Sequence, residues 1–240
     1  MTETLTIPAF FNGPPASGNG GYTCGRVAEL VHAEVAEVSL RAPPPLDTPL
    51  KVIRNAGRVA VRDPDTLVAT GAPSELLVDV PDAVPASEVE AAQQEGRRAW
   101  AADHPFPTCV VCGPAREDGF GIVPSALPGR DGLFGAVWTP VDWSDDGHGY
   151  VRPELVWAAL DCPTSAPVGN WDLGGPAIVL ASLTARLGCP LRVGEPHTIL
   201  SWALDKDGRK HWAAAALYDS EGILTCASRA LWIELREAGQ

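Results

Sequence analysis

Much that would announce a function is missing from this sequence. Acids outnumber lysine and arginine to a net charge of −12. No basic stripe of the kind a phosphate backbone requires is present, which excludes nucleic acid as a partner. No apolar run reaches the roughly 18–20 residues that span a bilayer. The opening MTETLTIPAFFNG has neither a basic start nor an apolar signal core. Together these absences predict a cytoplasmic protein with no membrane partner. The histidines are scattered, with no HxxxH, HExxH or HxH pair, which argues against a mononuclear catalytic metal. The stretch GNWDLGGPA at residues 169–177 lacks the Lys-Ser/Thr and the following helix of a phosphate loop. Six irregularly spaced cysteines make no disulfide framework and fit a reducing compartment.

What is present is an ordinary globular composition, 45% hydrophobic and 20% charged, in a chain long enough to bury a real core. The two halves run the same programme twice. A helix over residues 20–32 (GGYTCGRVAELVH) precedes AEVSLRAPPPL, LKVIRNAGRVAVRD and TLVATGAP. A second helix over residues 153–166 (PELVWAALDCPTSA) precedes AIVLASLTARLGCPL, HTILSWALDKDG, RKHWAAAALYD and GILTCASRALWIEL. The offset grows from 133 residues at the helices (20 against 153) to 156 at the last strands (63 against 219), as loop insertions in a diverged duplication would make it. One helix followed by several strands, repeated, predicts an α+β protein with a sheet wrapped around a helix in each repeat. The expected boundaries are an N-terminal repeat over residues 1–80, a linker over 81–112 and a C-terminal repeat over 113–240.

The linker carries a connecting helix over residues 86–100, acidic first and basic last as the helix dipole favours. Asp/Gly turns at residues 206–208 and 219–222 divide the C-terminal block into three strands. The Ala-rich HWAAAALYD between them reads as strand because Trp212, Ala214, Ala216 and Tyr218 alternate. Residues 12–21 (NGPPASGNGG) form a Gly/Pro-rich loop running into the first helix, with Asn19 as its N-cap and Tyr22, Val27 and Leu30 on its buried face. Cys109-x-x-Cys112 fits buried structural thiols, a pair of zinc ligands or a redox pair. A structural zinc wants four ligands, and His104, His148 and Cys162 are the residues able to approach.

The helix PELVWAALDCPTSAP, the start SGNGGYTCGRVA and the closing block GRKHWAAAALYDSEGILTCASRALWIEL resemble the hotdog fold, in the tandem double-hotdog arrangement of acyl-CoA thioesterases. The resemblance covers most of both halves but not the CxxC linker. It implies two tandem repeats, each an antiparallel sheet around a long central helix, and hydrolysis of an acyl-CoA or other acyl-thioester. Coenzyme A then enters as part of the substrate and no other cofactor is expected, the alternative being structural zinc on Cys109 and Cys112. Asp161 matches the acidic residue that activates water, and Ser182 falls near the hydroxyl position of the type II tandem class. Apolar Ala230 or Leu231 stands where that class has glutamine, and no Gln occurs in residues 222–234.

Thioester hydrolysis needs an activated water and donors aimed at the developing oxyanion. Asp161 can be that base, or can cap the Thr164-Ser165 turn. The amides of Gly20 and Gly21 are the oxyanion candidates, or part of a loop feeding a helix. Asn19 offers a side-chain amide to substrate besides its cap, and Trp157 and Trp171 either line an acyl groove or fill the core. The first-half counterpart of Asp161 is Ala28 or Glu29. Two other functions stay open: a non-catalytic binder of acyl-CoA or another hydrophobic ligand, and an enoyl-thioester hydratase using Asp145-Asp146-Gly147-His148. A tandem supplies the usual two-fold pair internally, while exposed sheet edges favour a homodimer.

Overall fold

Alternation sets the strands. In Leu50–Asn55, Leu50 and Val52 are buried while Lys51 and Ile53 face solvent, the period of two that gives a strand one dry face. The structure, a computed structural model, describes residues 3–102, 104–169 and 177–235. Its strands are β1 (Thr4–Leu5), β2 (Val35–Leu40), β3 (Leu50–Asn55), β4 (Arg58–Asp63), β5 (Thr66–Pro73), β6 (Ser125–Ala126), β7 (Leu133–Trp138), β8 (Ile178–Leu187), β9 (His197–Asp207), β10 (Lys210–Tyr218) and β11 (Leu224–Glu234). All pair antiparallel in one sheet of order β1-β3-β4-β5-β2-β8-β11-β10-β9-β7-β6. At its middle β2 meets β8, with Val38 opposite Leu183 and Ser39 opposite Ser182. Both outer strands are only two residues long.

Among the described residues three α-helices accompany the sheet: α1 (Gly20–Ala28), α2 (Ala86–Ala102) and α3 (Pro153–Asp161). Asn19 caps α1 as expected, its Oδ1 accepting from the Tyr22 amide at 2.8 Å. Tyr22, Cys24 and Val27 are buried on α1, whereas Leu30 lies beyond its end and is only partly covered. The long central helices expected over residues 20–32 and 153–166 are corrected to nine residues each, roughly 14 Å. After Ala28 the backbone tightens to i−3 bonds, Leu30 N to Val27 O and Val31 N to Ala28 O, and His32 turns to φ +55°. At α3, Pro163 has no N–H to give and its ring crowds the preceding turn. The chain therefore narrows to a 3-10 turn over Cys162–Ser165. Among the described residues no helix is long and apolar enough to cross a membrane.

The two short helices run antiparallel in contact, and glycine permits it. A Cβ on Gly21 would lie 2.4 Å from Cβ of Asp161, and one on Gly25 would lie 2.6 Å from Cα of Glu154. The contact thus runs from the start of α1 against the end of α3 to the end of α1 against the start of α3. β8 and β11 pack across α3 and the following turn, where Ser228 Oγ donates to Leu160 O and Trp232 Nε1 donates to Thr164 Oγ1 at 2.8 Å. On the other side of the sheet α2 lays Val89 and Ala92 against Leu127, Leu200, Ala216 and Tyr218. The Ala-rich segment is strand, and all of residues 213–216 are fully buried.

Candidate active site

The antiparallel contact brings the C-terminal end of one helix to the N-terminal end of the other. An α-helix leaves its first amides unpaired. Here Asn19 Oδ1 takes the Tyr22 amide and Asp161 Oδ2 takes the Gly21 amide at 2.7 Å. Asn19 Nδ2 adds a 3.4 Å contact to the same Asp161 oxygen. The Gly20 amide finds no acceptor among the described residues. The second oxygen of Asp161, Oδ1, is buried and also has no hydrogen-bond partner there. Burial pushes the Asp161 carboxyl up to about 7, against the pull of the Gly21 amide. Its side chain does not cap the Thr164-Ser165 turn; Thr164 Oγ1 bonds to the main-chain oxygen of Asp161 instead.

A cavity of about 520 Å³ opens beside this junction. Asn19, Gly20 and Asp161 border it, together with an apolar wall of Leu40, Ile178, Leu180 and Trp232. Arg41 and His104 stand among its polar residues. Cys109, Cys112 and Cys162 border it as well, their sulfurs within 4.8 Å of one another. Hydrogen bonds from Cys112 and Cys162, with the amides of Cys112 and Val111, hold the Cys109 thiol well below its ordinary range.

Of the residues singled out in the sequence, Asn19, Gly20, Gly21 and Asp161 thus meet, although the Gly21 amide is engaged by Asp161. Trp157 is buried in the helix contact against Gly25 and borders a second pocket of about 340 Å³ instead. Ser182 pairs with Ser39 and Leu231 in the middle of the sheet and is not among the residues bordering the larger cavity. Trp171 lies outside the described residues. The Asp145–His148 stretch is an exposed turn in which Asp145 and Asp146 accept backbone amides, apart from the cavity. Arg41 and the Leu180–Trp232 wall carry no sequence signal of their own: they are ordinary strand and strand-end residues whose role comes from where the sheet curls.

No family model matches the sequence, and no curated protein matches it. Among solved structures, a conserved protein of unknown function with hot dog fold from Alicyclobacillus acidocaldarius is 12% identical at a TM-score of 0.64. That match covers 98% of this chain and 93% of that one. This chain has the hotdog fold. A second hotdog likeness, to the TesB protein of Mycobacterium avium subs paratuberculosis, is 13% identical at a TM-score of 0.63 over 98% of this chain and 91% of that one. A third, to an acyl-CoA thioesterase II, TesB2, of Mycobacterium marinum, is 10% identical at a TM-score of 0.52 over 86% and 81%. At such identities the likeness is one of hotdog fold, and the chemistry has to be argued from the site.

Proposed function

We propose that this protein hydrolyses acyl-thioesters, acyl-CoA among them, with Asp161 as the base that activates water. The observation that carries the reading is a buried carboxylate with one oxygen tied to a helix amide and the other without a partner, at the wall of an apolar cavity. The acyl chain lies against Ile178, Leu180 and Trp232, where its transfer from water is favourable. The thioester carbonyl faces the Gly20 amide, a donor fixed at the positive end of α1. Asp161 Oδ1 takes a proton from water as the water oxygen bonds to the carbonyl carbon. The tetrahedral intermediate then collapses, the carbon–sulfur bond breaks, and the proton passes from Asp161 to the departing thiolate. Gly21 and Asn19 hold Oδ2 and so aim the carboxylate; they do not touch the reacting atoms.

The same reading takes the chain as two tandem hotdog repeats, residues 1–80 and 113–240, joined by 81–112. Its support is the strand order, which reads β2-β5-β4-β3-β1 outward from the centre on one side and β8-β11-β10-β9-β7 on the other, with the short β6 added beyond β7. In each series one strand (β1 or β7) precedes the helix (α1 or α3) in the sequence and four strands follow it. By the helix offset of 133 residues Asp161 corresponds to Ala28, and with Ala28 in that place a single site works per chain.

A second reading, a binder of acyl-CoA or a similar ligand without turnover, is favoured by one observation. The hydrogen-bond partners of the Asp161 carboxylate among the described residues are Gly21 and Asn19, and β11 contributes Ala230 and Leu231 where a water-orienting glutamine would serve. The deciding experiment is free-thiol release from short, medium, long and aromatic acyl-CoAs with the wild type and Asp161→Asn. Turnover that falls by at least about 100-fold in the variant supports the base. Saturable thermal stabilisation by acyl-CoA with no turnover establishes the binder, and hydration of an enoyl-CoA overturns both.

A further inference from the structure

The three cysteines at the cavity are not used by the hydrolysis above, and their arrangement is specific. Cys109 and Cys112 come from the linker, and Cys162 arrives from the far end of α3, carried inward by the 3-10 turn that Pro163 forces. All three are buried. Their sulfurs lie within 4.8 Å of one another, and the Cys109 and Cys162 sulfurs are 3.8 Å apart. A zinc–thiolate bond of about 2.3 Å in a tetrahedron requires sulfurs about 3.8 Å apart. A disulfide would need about 2.05 Å and would leave the third thiol over.

We propose that Cys109, Cys112 and Cys162 form a trithiolate site for one zinc-class divalent cation. The loop that presents the first two is shaped for it. The Gly113 amide returns to Cys109 O at 2.9 Å, and a Cβ on Gly113 would lie 2.5 Å from both Cys109 N and Pro107 O, so only glycine closes the turn. That turn aims the amides of Val111 and Cys112 at the Cys109 sulfur. Asn19 Nδ2 stands 3.7 Å from the sulfurs of both Cys109 and Cys162. The Tyr22 amide holds the other end of that side chain, so the donor is fixed in orientation. Donors of this kind surround metal thiolates and lower the charge they carry.

Binding puts the cation in place of the thiol protons, giving a centre of net charge −1 and releasing to solvent whatever protons the three sulfurs still carry. Three protein ligands leave the fourth tetrahedral position to a small donor such as water, the pattern of sites that keep one position open. All three cysteines border the cavity, the side from which that position is reached. The proposal rests on the sulfur geometry and stands or falls separately from the thioester reading.

The test is a titration of the chelated, reduced full chain with Co(II) under anaerobic conditions. One equivalent is expected to give sulfur-to-cobalt charge-transfer absorption and the strong visible bands of a tetrahedral ion, both removed by one equivalent of Zn(II). Each of Cys109→Ser, Cys112→Ser and Cys162→Ser is expected to weaken Co(II) binding by at least about tenfold, the loss seen when even an outer partner of a metal is removed. Cys189→Ser, at an exposed thiol, is expected to leave the titration unchanged. No charge-transfer band in the wild-type chain overturns the proposal without any variant. So does a band that survives all three serine substitutions, or a stable disulfide between two of these cysteines in the freshly prepared chain.

Discussion

Gly21 is the residue on which the site turns. A methyl there would meet Asp161 Cβ at 2.4 Å, Trp157 O at 2.7 Å and Ala158 Cα at 2.9 Å, all parts that cannot swing aside. At Gly20 a methyl would meet Leu180 Cδ2 at 2.9 Å, which can rotate, Leu180 Cβ at 3.1 Å, which has to give by a few tenths of an ångström, and Asp161 Oδ2 at 3.4 Å. Gly21→Ala is therefore expected to destabilise the fold by about 2 kcal/mol or more, while Gly20→Ala costs under about 1 kcal/mol. Urea unfolding of the two variants side by side checks the order, and equal losses would contradict the close helix contact. A second residue, Glu29, sits at the opposite end of that contact. Burial and the nearby Glu154 carboxylate raise its carboxyl to about 7, with Arg26 opposing. The folded value exceeds an ordinary glutamate value of about 4.3, so the folded state holds the extra proton. Its stabilising contribution is full below pH ~4 and is lost as pH rises through 7. Glu29→Gln should thus gain on the wild type between pH 5 and pH 8, by under about 1 kcal/mol because the carboxyl is partly exposed. Denaturation midpoints at the two pH values test this, and a gap that narrows with rising pH would refute it.

At the scale of elements, β10 explains how much could be read before any coordinates. Its run of four alanines suits a helix as well as a strand. The alternation beside the Asp/Gly turns points to strand, and the reason becomes plain in the fold. Ala215 and Leu217 face the main core while Ala216 and Tyr218 face the smaller cluster under α2, so the strand is covered on both sides and small residues are what fit. Ala215→Leu should cost about 1–3 kcal/mol by overpacking, read from the shift in unfolding midpoint. Helix starts were legible from Asn19 and Pro153, because capping is a local matter of one side chain or one ring. Helix ends were less so: the tightening after Ala28 has no sequence mark. The site was half legible. Asp161 and the glycines stand out as an acid and small residues in apolar surroundings. That Asp161 caps the other helix, or that Cys162 meets Cys109 fifty-three residues away along the chain, follows only from packing. Ser182, located by counting residues, misses the cavity because the β8–β11 pairing shifts register between Leu180 and Ser182, which carries Ser182 out of phase with Leu180.

For the whole molecule the decisive feature is continuity. β2 and β8 join the two sides of the sheet by five residue pairs, and one buried cluster runs from Leu5 to Trp232. Neither side can shed its partner without wetting the faces of α1 and α3. The chain is accordingly expected to unfold in a single cooperative transition. Far-ultraviolet dichroism and tryptophan emission should give coincident urea curves, and two resolved midpoints would mean that the sides fold separately. The sheet's outer limits have a different consequence. An open strand edge invites any passing chain to add another layer, which is how ordered fibres grow. Here the outermost strands, Thr4–Leu5 and Ser125–Ala126, are two residues long, and each pairs with only two residues of its neighbour, so the rest of β3 and β7 forms the rim. The last rungs are too brief to be copied, so a neighbouring chain would have to register on the stretches of β3 and β7 that they leave open.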